Sequence, residues 1–170
     1  MLSTIITAGC GACPKQWSIG SPGGNITVTV LREGIGHGFP DHDLSYTVKL
    51  DGKVTLPKSP LGVTMKSEDG DFVNRLRFVG QEAKKINETY PMPSDKKSIQ
   101  VNHCKELRLS FKNAAGRPMD LYVRAYDDGM ACRYSFPGNS ETRVIIGETS
   151  GFIIPLYRLQ LLGHALAEGL

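Results

Sequence analysis

The stretch Ala125-Tyr-Asp-Asp-Gly-Met-Ala-Cys-Arg-Tyr-Ser-Phe-Pro137 gives the strongest indication of the fold of this chain. Before it, Leu121, Val123 and Ala125 alternate with polar or aromatic residues, the period-two pattern of a half-buried strand. After the turn, a second alternation runs from Met130 to Phe136, with Cys132 as a small buried hydrophobe. Asp127, Asp128 and Gly129 separate the two runs, and Gly129 can supply a positive φ. These residues predict a β-hairpin with a bulky inner face.

The rest of the chain repeats short alternating segments between turn signals. Such segments begin near Ile26, Leu44, Leu61 and Leu107, and Asp51-Gly52 predicts a tight hairpin turn. Two longer pieces, residues 34–43 and 81–97, are rich in glycine, proline and charge, and they are predicted as loops. The sequence therefore favours an all-β fold, a two-sheet antiparallel β-sandwich.

The hairpin also resembles a known signature. Tyr126-Asp127-Asp128-Gly129, followed by Arg133-Tyr134 and later by Glu148 and Phe152, is similar to the N-terminal domain of glycoside hydrolase family 97, which contains α-glucosidases and α-galactosidases. Further similar segments precede the hairpin, in the same order as in the family: Ser21–Gly24, Leu44–Val48, Asp51–Lys53, Ser59–Gly62, Glu88–Tyr90, Lys97-Ser98 and Glu106-Leu107. The resemblance spans residues 17–155. It implies a galactose mutarotase-like super-sandwich.

A member of that family continues with more strands and then a catalytic (β/α)₈ barrel. Residues 156–170 do not resemble this continuation; their leucines recur at helical spacing, which predicts a short helical or disordered tail. We therefore expect a chain truncated before the barrel, with an incomplete sandwich. Unpaired sheet edges in such a domain favour low stability or self-association.

The beginning of the chain, residues 1–16, suggests the remnant of an export signal or a disordered N-terminus. Thr7-Ala-Gly-Cys10 resembles a weakened bacterial lipoprotein box, which implies a periplasmic or outer-membrane-tethered protein. No apolar run reaches the ~18 residues of a membrane-spanning helix. The net charge of +3 comes from 20 basic and 17 acidic residues that are scattered along the chain, so a nucleic-acid partner is not indicated.

Candidate catalytic residues are sparse. Glycoside hydrolysis needs two carboxyl groups about 5 to 9.5 Å apart, and the adjacent Asp127 and Asp128 fit a turn better than such a pair. Glu106, Glu148 and Asp120 have no visible partner in the sequence. The resemblance places the catalytic carboxylates in the absent barrel. We therefore expect an inactive, supporting domain in which the eight motif residues are structural: Tyr126, Asp127, Asp128, Gly129, Arg133, Tyr134, Glu148 and Phe152.

The metal and cofactor signals are equally weak. The family resemblance implies a calcium ion near the active site of the full-length enzyme, held mainly by barrel glutamates, and no residue of this chain matches its ligands. Cys10 and Cys13 lack the second pair that a zinc site needs. The four histidines, His37, His42, His103 and His164, are predicted at the surface or in loops. Arg133 is expected to pair with Asp127, Asp128 or Glu148, or alternatively to dock on the barrel.

A second hypothesis is a free-standing carbohydrate-binding or protein-interaction module. Sugars stack on flat aromatic rings, so such a module needs an exposed aromatic platform. Trp17 is the sole tryptophan, and Tyr90 is predicted in a loop. The α-linked sugars implied by the family resemblance would be substrates of the full-length enzyme.

Overall fold

The computed structural model describes residues 14–32, 42–66, 70–91, 99–138 and 143–154. Within these ranges the chain forms strands and no helix: β1 (Gln16–Gly20), β2 (Ile26–Leu31), β3 (Leu44–Leu50), β4 (Lys53–Leu61), β5 (Val63–Met65), β6 (Asp71–Phe72), β7 (Arg77–Pro91), β8 (Ile99–Lys112), β9 (Pro118–Ala125), β10 (Met130–Ser135) and β11 (Ile145–Glu148). No helix long and apolar enough to cross a membrane occurs in these ranges. The predicted lipoprotein segment with Cys10 and the tail at 156–170 lie outside them.

The strands form three antiparallel sheets. Their orders are β1-β2-β3-β4, β10-β9-β8-β7 and β11-β5-β6. One hydrophobic core contains side chains from all three sheets, among them Val28 of β2, Phe72 of β6 and Leu109 of β8. The all-β antiparallel prediction is confirmed, and the packing is that of a β-sandwich.

The core follows from the alternation in each strand. In β9 every second residue is buried, beginning at Met119 and ending at Ala125. Trp17 of β1 crosses the interior, and its ring centroid lies 4.8 Å from that of Phe78 and 5.8 Å from that of Phe111. The strands of the first and second sheets therefore face each other across aromatic contacts.

The Asp51-Gly52 hairpin forms as predicted. Asp51 and Gly52 have φ values of 49° and 77°, the left-handed pair that suits the twist of a two-residue hairpin. Leu50 pairs directly with Lys53 across the turn.

The prediction of a loop at 81–97 was wrong for residues 81–91. These residues belong to β7, a 15-residue strand whose pairing with β8 extends from Arg77 to Pro91. Most of its side chains are exposed on both faces, so the sequence lacks the alternation that marks a half-buried strand.

Two details of the Asp-Asp-Gly hairpin also differ from expectation. Gly129 does not adopt a positive φ; the turn instead closes with a backbone hydrogen bond from Tyr126 N to Gly129 O of 2.9 Å. Cys132 is exposed rather than buried. It pairs with Val123 and so faces the same side of the sheet, but β10 is the edge strand of that sheet.

Candidate functional site

Asp127 does not work as a pair with Asp128. It forms hydrogen bonds with the loop between β1 and β2, which belongs to the opposite sheet. Its Oδ1 accepts a 2.6 Å hydrogen bond from Gly23 N, and its backbone carbonyl accepts one of 2.8 Å from Asn25 Nδ2. Lys105 Nζ donates to Ser21 O at 3.1 Å. We call Ser21–Asn25 together with Asp127 the motif corner. It joins two family-like segments that are about a hundred residues apart in the sequence.

Hydrogen bonding explains the electrostatics of the motif corner. The N–H of Gly23 and the Ser21 side chain lower the pKa of Asp127, and electrostatic interactions with His103 and Lys105 add to the effect. A lowered pKa keeps this carboxyl ionised as a hydrogen-bond acceptor. Such a carboxyl is poorly suited to act as a general acid at neutral pH.

The second pair of family-like segments meets in the same way. Ser59–Gly62 forms a network with residues 149–153: Thr149 N donates to Gly62 O at 3.0 Å, Gly151 N to Pro60 O at 3.2 Å and Ile153 N to Ser59 Oγ at 3.0 Å. We call this contact the closure. A Cβ on Gly62 would lie 2.6 Å from Thr149 Oγ1, so the close approach requires glycine at this position.

Tyr134, Glu148 and Phe152 lie around the closure. Tyr134 Oη is 2.7 Å from Ser150 Oγ. Glu148 ends β11 and is exposed. The Phe152 ring is 73% exposed, and its edge contacts Tyr46 at a centroid distance of 6.4 Å. Burial raises the pKa of Tyr46 to about 12, with a smaller contribution from Cys132, and its hydroxyl donates to Gly151 O at 3.2 Å.

A charged ladder crosses the outer face of the second sheet. Glu106 of β8 is 2% exposed and accepts from Arg124 Nε at 2.6 Å and from Lys84 Nζ at 3.1 Å. Burial would raise the pKa of Glu106, but the hydrogen bonds from Arg124 and Lys84 outweigh it and the pKa is lowered. Glu106, which had no visible partner in the sequence, is therefore part of a three-charge network across β7, β8 and β9.

Arg133 forms an ion pair with none of the three carboxylates expected for it. No ion pair connects it with Asp127, Asp128 or Glu148. Its guanidinium carbon instead lies 4.7 Å from the centroid of the Tyr122 ring on the neighbouring strand, a cation–π distance. Arg133, Tyr122, Tyr126 and Arg124 line a shallow cavity of about 120 Å³ on this face.

The described residues do not bring together a metal site. Within these ranges, no three His, Cys, Asp or Glu side chains converge on one point. His42, predicted at the surface or in a loop, is 2% exposed and packs beside Gly62. His103 is exposed on β8, and His37 and His164 lie outside the described residues.

Sequence reasoning missed the contacts that depend on register. The links between Asp127 and Gly23, and between Glu106 and Arg124, join residues that no local pattern relates. The only sequence signal was the ordered series of family-like segments. The structure places the first of these segments against the hairpin and Ser59–Gly62 against the segment after it.

Comparisons with known proteins agree with this geometry. The profile of the Glycosyl-hydrolase 97 N-terminal family matches residues 19–158. The chain is 35% identical over 112 residues, 66% of its length, to a probable retaining alpha-galactosidase of Streptomyces bingchenggensis, of which it covers 17%. It is 30% identical over 142 residues, 83% of its length, to a retaining alpha-galactosidase of Bacteroides thetaiotaomicron, of which it covers 19%.

Solved structures show the same fold. A family 97 glycoside hydrolase from Pseudoalteromonas sp. strain K8 in complex with acarbose superposes with a TM-score of 0.68 at 21% identity, over 81% of this chain and 20% of that one. A beta-arabinopyranosidase superposes with a TM-score of 0.70 at 26% identity, over 82% of this chain and 21% of that one. This chain thus spans about a fifth of the length of its relatives. It belongs to the Glycosyl-hydrolase 97 N-terminal family.

Proposed function

We propose that this domain is a non-catalytic support for the catalytic barrel of a family 97 α-glycosidase. The observation that carries the proposal is how two carboxylates of the family-like segments, Asp127 and Glu106, are bound within the domain. Asp127 is committed to Gly23 N, and Glu106 is committed to Arg124 and Lys84. Contacts of this kind hold strands and loops together, which supports a structural role for both side chains.

The lengths of the relatives support the same role. The matched region makes up 17% and 19% of the alpha-galactosidases that resemble this chain. We propose that the remaining four-fifths supply the catalytic carboxylates, the calcium site and the pocket for an α-linked sugar. In this arrangement the domain packs beside the barrel and shapes the rim of its pocket.

Two activity measurements test the proposal. The pure 170-residue chain should release no nitrophenol from nitrophenyl α-galactoside or nitrophenyl α-glucoside, whereas the full-length Bacteroides relative serves as the active control. Deletion of the matched region from that relative should abolish its activity. Hydrolysis by the pure chain, or full activity of the shortened relative, would contradict the proposal.

The carbohydrate-binding alternative finds less support. Trp17 is buried in the core, so it offers no surface for sugar stacking. Tyr90 and Phe152 are exposed, but they lie on different elements, β7 and the segment after β11. Titration with maltooligosaccharides distinguishes the two functions, since saturable binding by the isolated chain would favour the module.

A further inference from the structure

A small cavity opens on the outer face of the second sheet, between β9 and the edge strand β10. In the register of these strands Ala131 lies directly opposite Arg124, and Arg133 lies opposite Tyr122. The side chain of Ala131 is a single methyl group, and the cavity of about 120 Å³ lies beside it. Since a water molecule takes up about 30 Å³ in the liquid, this space suits a group as small as a carboxylate.

The lining of this cavity is rich in hydrogen-bond donors. Two arginines, Arg124 and Arg133, contribute to it, and no carboxylate is among the described residues around it. A guanidinium group carries five N–H donors and no acceptor. Binding sites place such groups where they meet complementary atoms of the ligand, so this lining favours a ligand with acceptor oxygens.

Arg133 is the cation of this cavity that lacks a counter-ion. Arg124 donates through Nε to Glu106 at 2.6 Å, and the same carboxylate also accepts from Lys84 at 3.1 Å. Within the described ranges Arg133 forms neither an ion pair nor a hydrogen bond, and its guanidinium carbon lies 4.7 Å from the centroid of the Tyr122 ring. Stacking of this kind uses the flat face of the guanidinium and leaves the N–H groups at its edge available to a ligand.

The neighbouring cavity on the same face provides a comparison. Its volume is about 150 Å³, and its lining consists of Glu82, Lys84, Glu106, Arg108 and Tyr122. Each cation there has a carboxylate, because Arg108 pairs with Glu82 at 2.8 Å and Lys84 pairs with Glu106. That lining is electrically balanced, whereas the lining beside Arg133 carries two positive charges. A cleft lined by one sign of charge raises the local concentration of the opposite ion.

We propose that the cavity beside Arg133 binds a small ligand through its carboxylate group. A planar carboxylate accepts two parallel hydrogen bonds from the edge of one guanidinium, which adds geometric specificity to the attraction of charge. Arg133 would donate these two bonds, Arg124 would add positive charge from the adjacent strand, and Tyr122 would hold the guanidinium in its plane. An acidic sugar and a simple organic acid both supply this group. The inference goes beyond the supporting function, because the site needs no residue outside this chain.

A nuclear magnetic resonance titration of the ¹⁵N-labelled 170-residue chain tests the inference. The probes are galacturonate, acetate, galactose and sulfate. Galacturonate or acetate should shift the Nε–H signal of Arg133 and the amide signals of β10 until they saturate, whereas galactose should not. Tighter binding of galacturonate than of acetate would assign the ligand to acidic sugars, and equal binding would assign it to the carboxylate alone.

Four variants locate the binding. Arg133→Gln should weaken it at least about tenfold, because hydrogen bonds to a charged group are lost. Arg133→Lys should also weaken it, since an ammonium group lacks the planar fork of a guanidinium. Ala131→Leu keeps every charge and should weaken binding by filling the cavity. Arg77→Gln removes an exposed positive charge at the start of β7 and is the matched control, which should bind as the wild type does.

Three outcomes would overturn the inference. The first is a response to carboxylates that rises linearly with concentration and does not saturate. The second is sulfate binding as tight as that of the carboxylates, which would identify an adventitious ion only. The third is carboxylate binding that survives both Arg133→Gln and Ala131→Leu in variants whose amide spectra show the wild-type fold. None of these outcomes bears on the supporting function, which the activity of the shortened relative tests.

Discussion

At the scale of single residues, the closest approach in the closure is made at Gly62. Its backbone exchanges hydrogen bonds with Thr149 and Ser150, and a side chain there would meet the Thr149 hydroxyl oxygen and a methyl of Val73 at 2.6 and 3.2 Å. The φ of Gly62 is not in the left-handed region. The requirement for glycine is therefore one of space.

Gly62→Ala should reduce the free energy of unfolding by about 1 to 3 kcal/mol, the usual range for forcing an atom into packed structure. Thr149→Ala in the same chain should recover part of that loss, because it removes the oxygen that the new methyl meets. Urea unfolding measures both effects. Gly129→Ala is the control, since a Cβ there meets nothing within 4 Å; an equal loss at both glycines would refute the steric explanation.

Asp127 makes the stability of the domain depend on pH. Its pKa is lower in the folded chain, so the ionised carboxylate stabilises the fold above the ordinary Asp pKa of about 4. That stabilisation disappears as the pH falls through the lowered folded-state value. Asp127→Asn should therefore be less stable than the wild type at pH 7 and approach it in acid.

Thermal unfolding between pH 2 and pH 7 measures this convergence. Asp128→Asn is the matched control, because Asp128 is exposed beside it and Asp127 alone accepts the bond from Gly23. A difference between the Asp127→Asn variant and the wild type that stays constant over the whole pH range would contradict the assignment.

At the scale of elements, β8 carries the charged ladder that ties its sheet together. Glu106→Gln should reduce the free energy of unfolding by roughly 2 kcal/mol, the range for hydrogen bonds to a charged group. Glu82→Gln should change it by less than about 1 kcal/mol, because Glu82 and its partner Arg108 are 58% and 42% exposed. Urea unfolding of the two variants compares a buried pair with an exposed one. Equal losses would show that burial of Glu106 contributes nothing.

How far the elements could be predicted depended on what each strand buries. The strand before the Asp-Asp-Gly turn was predicted correctly because one of its faces is apolar. The Asp51-Gly52 hairpin was predicted correctly because its turn needs particular residues. Strand β7 was missed because its distal half exposes both faces. Alternation assigned Cys132 to the correct face, but it carries no information on whether a strand lies at a sheet edge.

The candidate site was less predictable than the strands. The turn at Asp127 follows from local sequence, whereas its bond to Gly23 depends on how two sheets pack. Arg133 stacks on Tyr122 because the β9–β10 register places them opposite each other. A single sequence does not encode that register in any short motif.

At the scale of the whole molecule, the two described thiols differ in how far the fold must open before a reagent can reach them. Cys104 is buried on β8 and Cys132 is exposed on β10. Maleimide should modify Cys132 in the native protein at least about a hundredfold faster than Cys104, whose modification awaits opening of the sheet. Peptide mass spectrometry resolves the two sites. Similar rates at both would show that β8 opens locally without the rest of the domain.

The motif corner and the closure also set the order in which the chain can fold. Gly23 must find Asp127 across 104 residues, and Gly62 must find Ser150 across 88. Contacts of such long sequence separation slow folding, because a large loop must close before they form. On a ribosome the first sheet would therefore wait, with its apolar face uncovered, until the Asp-Asp-Gly hairpin had left the exit tunnel. During that interval chaperones would have access to the unfinished core.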